Sequence, residues 1–542
     1  MVDVLAHIFR RYNIRVSDLL ILARMPITER PVGFLIGTAC MTGFLENISL
    51  GYQVAFTIQN LFYCFIGVFV GTLIGVLPGI GPGGTISLLL PITYGISPTS
   101  AIIMLAGIYY GAQYGGSTTS ILVNIPGEST SVVTCIDGYQ MARQGRAGPA
   151  LGIAAFGSFI AGTIGTILLM FIAQPMSSFG LKFGPPEYFS LMILAITFLA
   201  YFASGSMVKA LIMAAMGIGL SQIGIDMVSG KSRFTFGITS LEDGVGLVPL
   251  VMGLFGIGEI LTNLEEIGNI NIFKSKIKGL LPTLKDWKDS IGSIIRGSFL
   301  GFFLGTLPGG GAIISTFISY TLEKKISRHP EKFGTGAIEG VAGPESANNA
   351  ASTGAFIPLF TLGLPSNAIT ALLLGALMIH GMQPGPFLIK KHPDLFWGTI
   401  ISMYIGNVLL LILNLPLINI WIKLLRVPYR ILFPFLLFFC FIGSYSINNS
   451  LFDVLVMLLF GITGYTLRKF GYDLPTLILA FVLGPLLENS LRQSLLISAG
   501  ALDIFFKRSI SATCLTIALF ILCFSFLTKK RKSILTKIGQ DS

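Results

Sequence analysis

Hydroxyl and amide side chains in two parts of this chain have suitable chemistry to bind a small carboxylate. In the first part they are Ser117, Thr118, Thr119 and Asn124, and in the second they are Ser346, Asn348, Asn349, Ser352, Thr353, Ser366 and Asn367. Their O–H and N–H groups donate hydrogen bonds to carboxylate oxygens, and amide oxygens can bind Na⁺. A single Ser or Thr more often bonds back to its own helix. The clustering of these residues is therefore what predicts a substrate or ion site.

Each cluster accompanies a glycine-rich interruption of an apolar segment. The interruptions contain Gly79, Gly81, Gly83 and Thr85 in the first case, and Gly309, Gly310 and Gly311 in the second. A helix that begins at such a break directs free N–H groups and the positive end of its dipole towards a ligand. Glycine also allows the ligand to approach the backbone closely. We expect two half-helices to bind opposite ends of one dicarboxylate near the membrane midplane, without a buried Lys or Arg.

The two interruptions follow one pattern. Gly301, Gly305, Leu307, Pro308, Gly309 and Gly311 repeat the spacing of Gly71, Gly75, Leu77, Pro78, Gly79 and Gly81. In lipid every backbone N–H and C=O needs a partner, so a broken helix is tolerated only against protein or a water-filled cavity. Matched breaks in two halves of a chain are typical of a secondary transporter's binding site. The alternative interpretation is close helix packing on glycine, with proline kinks.

The composition is that of a polytopic membrane protein. Of 542 residues, 53% are hydrophobic and 11% are charged, whereas soluble domains carry about 25% charged residues. We predict an all-α fold in contact with membrane lipid, with about 10–12 transmembrane segments. The net charge of +11 comes largely from short loops and the C-terminus, as the positive-inside rule requires. It does not indicate a nucleic-acid partner.

The chain divides into five parts. Residues 1–40 are an arginine-rich extension that differs from the rest, and Met41 is a possible start of the working protein. Membrane repeat 1 follows at 41–270, a basic loop at 271–290, membrane repeat 2 at 291–528, and a basic tail at 529–542. Positively charged loops and tails of membrane proteins are usually cytoplasmic. The basic loop and the tail are therefore predicted to be cytoplasmic.

The basic residues also predict how the repeats are oriented. Between Pro31 and Ala142 there is no Lys or Arg, whereas the segment before repeat 2 contains Lys274, Lys276, Lys278, Lys285 and Lys288. The positive-inside rule places these two lead-in segments on opposite faces of the membrane. We therefore expect inverted repeats with broken or re-entrant helices.

Several acidic residues lie in or beside apolar segments, where ionisable groups are functional candidates. Glu128 follows the second break of repeat 1, Glu259 lies in an apolar helix, and Glu345 opens the polar stretch of repeat 2. For Glu345, ion coupling and helix capping are both open. Glu488 and Arg492 are four apart and are interpreted as a structural pair. No cofactor and no metal beyond a coupling ion is expected.

Six collinear motifs carry a resemblance to a known family. They are GVLPGIGPG at 75–83, YGGSTTSILVNIPGE at 114–128, GLFGIGEIL at 253–261, EGVAGPESANNAAS at 339–352, LGLPSNAITALLLGALMIHGMQPGP at 362–386 and LGPLLENSLRQSLL at 483–496. Together they resemble the large membrane subunit of the tripartite tricarboxylate transporters, the TctA family. The resemblance covers nearly the whole chain from Met41 to Leu527.

The resemblance implies a function and a set of partners. It implies a symporter that takes up small organic di- or tricarboxylates across the bacterial inner (cytoplasmic) membrane, driven by Na⁺ or H⁺. A periplasmic solute-binding protein would deliver the substrate, and a small integral-membrane subunit would accompany this chain. The competing hypothesis is an intramembrane enzyme acting on a lipid-linked substrate. That hypothesis requires clustered acids or a metal-ligand set, and the sequence shows neither, so we expect no enzymatic activity.

Overall fold

The chain folds as a membrane protein built almost entirely of helices. The computed structural model describes the backbone of residues 32–77, 81–203, 206–226, 228–265, 279–309, 311–425 and 429–538. In these ranges eight helices are long and apolar enough to cross a membrane, accompanied by three shorter apolar helices. The helices Pro98–Val123 and Leu284–Gly305 are also long but are not among those eight. The prediction of an all-α polytopic membrane protein is confirmed.

Within its described residues, the first half of the chain contains ten α-helices and a short hairpin. In chain order they are α1 (Val32–Ala55), α2 (Ile58–Val76), α3 (Pro82–Thr93), α4 (Pro98–Val123), α5 (Val132–Arg143), α6 (Ala147–Gly180), α7 (Pro185–Phe202), α8 (Met207–Ser221), β1 (Gly224–Ile225), β2 (Ser232–Arg233), α9 (Leu247–Val251) and α10 (Gly258–Glu265). A π-helical segment, Met252–Ile257, connects α9 to α10. Helices α3, α4 and α7 begin with proline, which is favoured there because a first-turn N–H has no intrahelical partner.

The second half contains thirteen α-helices in the described ranges. They are α11 (Leu284–Gly305), α12 (Gly311–Ile326), α13 (Glu339–Gly354), α14 (Phe356–Leu362), α15 (Ala368–Ile379), α16 (Leu388–Lys391), α17 (Pro393–Asn414), α18 (Ile418–Leu424), α19 (Tyr429–Asn448), α20 (Leu451–Lys469), α21 (Leu474–Ile497), α22 (Ile504–Lys507) and α23 (Ser509–Ile538).

Two segment predictions differ from the structure or lie partly beyond it. The basic loop predicted at 271–290 ends early, because α11 begins at Leu284, where Thr283 and Asp286 form a capping box. Lys274, Lys276 and Lys278 lie outside the described residues. At the N-terminus, helix α1 runs from Val32 through Met41 to Ala55. The preceding residues, up to Pro31, are outside the described ranges.

Glycines hold α2 in close contact with α4 in repeat 1, and α11 in close contact with α13 in repeat 2. A Cβ atom on a glycine of α2 would overlap a backbone carbonyl of α4: Gly67 with Met104, Gly71 with Ile108, and Gly75 with Ala112. In repeat 2 the glycines of α11 face α13 in the same way: Gly297 with Gly343, Gly301 with Ala347, and Gly305 with Ala351. Residue numbers rise together in each pair, so α2 is parallel to α4 and α11 is parallel to α13. Small residues permit such close backbone approach within a membrane.

Contacts between the repeats run in the opposite sense. Tyr109 contacts Asn367, Ser117 contacts Glu345, and Asp137 accepts a hydrogen bond from the N–H of Ala337. From Tyr109 to Asp137 the residue numbers in repeat 1 increase, while those of their partners in repeat 2 decrease from Asn367 to Ala337. The two repeats therefore lie antiparallel. The parallel pairs within each unit and the antiparallel contacts between units together make the repeats inverted, as predicted.

Substituting Gly301 with Ala is expected to destabilise the protein by about 1–3 kcal/mol, the usual cost of overpacking. The added methyl group would overlap the carbonyl oxygen of Ala347, and backbone cannot move aside as a flexible side chain can. Thermal unfolding of the purified protein in detergent measures the effect. Gly219→Ala in α8 is the control, because a Cβ there meets nothing within 4 Å. Equal effects at both positions would show that helix contact at Gly301 is unimportant.

The inverted repeats predict on which face of the membrane each lead-in segment lies. A cysteine replacing Lys288 in α11 should react with an impermeant maleimide only from the cytoplasmic side. A cysteine replacing Glu46 in α1 should react only from the other side. Both positions lie in described helices, and the background would lack the native cysteines. Labelling of both from one side would contradict the inversion.

An ion-pair network holds the β1–β2 hairpin against α21. Glu488 lies 2.6 Å from Arg492 and 2.8 Å from Arg233, and Arg492 lies 3.1 Å from Asp226. The predicted contact between Glu488 and Arg492 is therefore confirmed, in a larger network. Hydrogen bonds from Ser229 and the Val228 N–H, with the Arg492 guanidinium nearby, hold the pKa of Asp226 well below its usual range.

Candidate functional site: a cavity between the two broken repeats

A cavity of about 510 Å³ lies where the breaks of the two repeats meet. Repeat 1 contributes Gly81, Pro82, Gly83, Gly84, Tyr109, Gln113, Pro126, Gly127, Glu128, Ser129 and Thr130. Repeat 2 contributes Gly309, Ala312, Ile313, Ile314, Asn367, Ala368 and Ile369. Later residues of the same two repeats complete the wall: Leu199, Phe202, Ala203, Phe255 and Glu259 of repeat 1, and Arg468, Asp473 and Pro475 of repeat 2. Both half-helices therefore reach one space.

The N-terminus of α3 opens directly on this cavity. Gly81 is its N-cap residue, Pro82 follows, and Gly83 and Gly84 complete the first turn. First-turn N–H groups have no acceptor within their own helix. A Cβ atom at Gly83 would meet nothing within 4 Å, so the backbone is accessible from the cavity. The N–H of Gly81 donates to Oε1 of Glu259 at 3.2 Å.

The corresponding break in repeat 2 is closed by backbone contacts. Gly309 has a φ of +101°, which favours glycine, and its N–H donates to the carbonyl of Ser366 at 2.9 Å. Gly311, the first residue of α12, packs against the carbonyl of Leu304. Ala312 and the two isoleucines after it reach the cavity wall. Gly79 and Gly310 lie outside the described residues.

The second breaks of the two repeats are also equivalent. Asn124 and Gly363 end the helices before them in the left-handed conformation, with φ values of 59° and 69°. Four residues after each, Glu128 and Asn367 serve as N-caps with a capping box. Asn124 and Gly363 are separated in the sequence by the same number of residues as Tyr109 and Asn348. Tyr109 and Asn348 are therefore also equivalent positions of the two repeats.

These equivalent residues form crossed contacts between the repeats. Asn367 of repeat 2 donates to the Tyr109 hydroxyl of repeat 1 at 2.9 Å. Asn348 of repeat 2 donates to the Glu128 carboxylate of repeat 1 at 3.2 Å. Thr130 also donates to that carboxylate. The two contacts are related by the inversion, and three of these four capping and helix residues lie in the cavity wall.

The family of the chain follows from comparison with known proteins. Residues 61–479 match the model of the tripartite tricarboxylate transporter TctA family. The chain belongs to the TctA family. Every residue of the cavity wall lies within the matched range.

Two relatives of this TctA protein come from Agrobacterium vitis. One, an uncharacterized 52.8 kDa protein in the TAR-I ttuC' 3'region, is 50% identical over 479 residues, covering 88% of this chain and 95% of that protein. The other, an uncharacterized protein in the TAR-II ttuC' 3'region, is 53% identical over 219 residues, covering 40% of this chain and 90% of that protein. No solved structure matches this TctA protein.

Glu345 lies outside the cavity, at the contact between the repeats. Its side chain has no exposed surface, and it accepts hydrogen bonds from Ser117 at 2.5 Å and from Thr134. Within the part of this TctA chain that the structure describes, no Lys or Arg pairs with it. A buried charge without a partner of opposite sign is costly, and the two hydroxyl donors are the side-chain groups that stabilise this carboxylate in the described structure.

Most of the predicted hydroxyl groups bond to nearby backbone. Thr85 donates to Gly81, Ser352 and Thr353 donate to Asn349, and Thr119 donates to the Val76 carbonyl at the first break. Asn349 donates to Ser158 and to the Glu345 carbonyl. These side chains therefore stabilise the broken helices of the TctA fold and do not line the cavity.

Four further predicted residues have no role in the wall of the main cavity. Asn124 is exposed at the end of α4, and Thr118 lines a separate space of only about 10 Å³. The buried hydroxyls of Ser346 and Ser366 have no hydrogen-bond partner in the described structure. Of the residues predicted to bind substrate, the structure brings Gly81, Gly83, Gly309 and Asn367 together around the cavity.

Sequence reasoning missed the basic residue in the wall, Arg468. It lies in the last turn of α20, beside Lys469, where the pair suggests an ordinary cytoplasmic helix end. Its guanidinium lies 5.8 Å from the ring centre of Phe255 and 3.7 Å from Glu259. Phe255 lies in the π-helical segment just before Glu259, a feature frequent at functional sites. The motif GLFGIGEIL could have indicated this part of the wall, because it contains both Phe255 and Glu259.

Proposed function

We propose that this TctA-family chain imports small organic di- or tricarboxylates, coupled to Na⁺ or H⁺. The observation that carries the proposal is the cavity shared by two inverted, broken repeats. Binding sites of secondary transporters occupy this position, and half-helix N-termini there face anionic groups. Such an arrangement allows the halves to move about a fixed site.

The size and chemistry of the cavity support a small anion. Its volume of about 510 Å³ falls within the roughly 300–1,000 Å³ typical of small-molecule sites. The donors at its wall are the N–H groups of Gly83 and Gly84 in the first turn of α3, the amide of Asn367 and the guanidinium of Arg468. A di- or tricarboxylate offers several acceptor oxygens for such donors.

The orientation of the cavity supports release to the cytoplasm. Arg468 and Asp473 belong to the helix ends on either side of Lys469 and Phe470, and Lys209 donates to the Phe470 carbonyl nearby. The positive-inside rule assigns this lysine-rich end to the cytoplasm. The part of the wall formed by Arg468 and Asp473 then lies towards the cytoplasmic side.

We assign ion coupling to two carboxylates, the buried Glu345 and the partly exposed Glu128. Glu345 is surrounded by hydroxyls at the contact between repeats, and Glu128 connects the cavity wall to Asn348. Either a proton or Na⁺ with its oxygen ligands would neutralise such a group. Both residues touch both repeats, so their ionisation would respond to relative movement of the halves.

The proposed partners are a small integral-membrane subunit and a periplasmic solute-binding protein, in the bacterial inner membrane. The test is uptake of radiolabelled citrate and succinate into proteoliposomes, with each partner added or omitted and with separate Na⁺ and pH gradients. Concentrative uptake that requires one gradient and both partners is expected. Absence of uptake under every combination would contradict the proposal.

A further inference from the structure

Arg468 has an unusual position in the cavity wall. It is the only Lys, Arg or His among the described residues that line the cavity, and 26% of its side chain is exposed. The Phe255 ring beside it can orient the guanidinium through a cation–π contact. A guanidinium presents several N–H donors in a planar fork that matches a carboxylate.

The acid beside Arg468 leaves much of that fork available. Glu259 Oε2 lies 3.7 Å from Arg468 Nη2, whereas charge-assisted hydrogen bonds are about 2.7–2.9 Å long. The other oxygen, Oε1, accepts from the Gly81 N–H. Glu259 is thus a carboxylate of the protein itself, lying in the cavity wall between a backbone donor and Arg468.

The other acids of the wall are engaged elsewhere. Asp473 caps α21 by accepting from the Thr476 N–H and hydroxyl. Glu128 accepts from Asn348 and Thr130. Among the described acids of the wall, Glu259 is therefore the one that pairs with Arg468.

We propose that Arg468 binds one carboxylate group of the substrate and that Glu259 competes with the substrate for it. In the empty site Glu259 partly neutralises Arg468, and an incoming carboxylate with better fork geometry takes its place. Arg468 then determines specificity for carboxylates, while Glu259 weakens their binding and so favours release. This inference rests on the proposed function, since it concerns the substrate of the same cavity.

The test is calorimetric titration of the purified protein with succinate, citrate and, as a monocarboxylate, acetate. Arg468→Gln is expected to weaken citrate and succinate binding roughly 10- to 150-fold, the value of a hydrogen bond to a charged group. Arg468→Lys keeps the charge without the fork and should fall between Arg468→Gln and wild type. Glu259→Gln should tighten binding about two- to fivefold, as expected for loss of a partly exposed ion pair.

The double variant Arg468→Gln with Glu259→Gln separates direct binding from a supporting role. If Arg468 contacts the substrate, binding stays weak in the double variant. If Arg468 only neutralises Glu259, removing both charges restores wild-type affinity, and the inference is overturned. Lys469→Gln is the matched control, because it removes a positive charge one residue away whose exposed partner is Glu265.

The outcomes also distinguish this inference from the proposed function. Wild-type protein that binds succinate or citrate, with unchanged affinity in a folded Arg468→Gln variant, overturns the inference alone. Wild-type protein that binds none of the three probes overturns the proposed function and the inference with it. Size-exclusion profiles confirm folding, and the graded result at Arg468→Lys decides the matter if Arg468→Gln does not fold.

Discussion

Replacing Gly83 with Leu is expected to abolish substrate binding while the protein still inserts and folds. A Cβ at this position meets nothing within 4 Å, so the new side chain can be accommodated, but only by projecting into the cavity. There it would cover the free N–H groups of the first turn of α3. Helix stability should not suffer, because Leu has a higher helix propensity than Gly by several tenths of a kcal/mol. Titration of the purified variant with citrate and succinate measures the loss.

Gly219→Leu is the control for this substitution. Gly219 is also a helical glycine with no neighbour for a Cβ, but it lies in α8, away from the cavity. Normal binding by Gly83→Leu would mean that the α3 N-terminus does not form part of the site. The sequence makes the same prediction for Gly310→Leu in repeat 2, at a residue outside the described ranges.

Glu345→Gln is expected to abolish gradient-driven accumulation of substrate while leaving substrate exchange intact. Gln has nearly the same shape, so the contacts with Ser117 and Thr134 can be retained, but it can neither take up a proton nor carry the charge that binds Na⁺. Glu345 lies outside the cavity wall, so substrate affinity should change little. Proteoliposomes under an imposed gradient measure accumulation, and counterflow without a gradient measures exchange.

Glu331→Gln provides the control for the charge change. Glu331 is on the surface, with 67% of its side chain exposed. Undiminished accumulation by Glu345→Gln would remove Glu345 from the coupling mechanism and leave Glu128 as the candidate.

The sequence predicted the broken repeats because their causes are local. Glycine every fourth residue, as at Gly71 and Gly75, places small residues on one helix face, and the Leu-Pro-Gly sequence that follows Val76 favours the end of the helix there. The distribution of lysines predicted the inversion, because the positive-inside rule uses only the positions of basic residues along the chain.

The hydrogen-bond partners and positions of individual side chains could not be predicted from local sequence. Thr119 and Ser352 are both hydroxyl residues near a break, yet one bonds to another helix and the other bonds to its own. That choice depends on which helix packs alongside. Arg468 is remote in sequence from both breaks, and only the packing of α20 beside the π-helical segment brings it to the cavity.

The crossed contacts between the repeats join chemically unlike partners. The Tyr109–Asn367 contact is uncharged, whereas the equivalent Asn348–Glu128 contact contains an ionisable acid. When two inverted repeats exchange conformations, the backbone of the inward-facing state becomes equivalent to that of the outward-facing state. The backbone by itself therefore gives transport no preferred direction. The side chains remove this equivalence, because in this pair of matched contacts only repeat 1 carries an acid. An acid at one of two matched positions is enough to make inward and outward states unequal in energy.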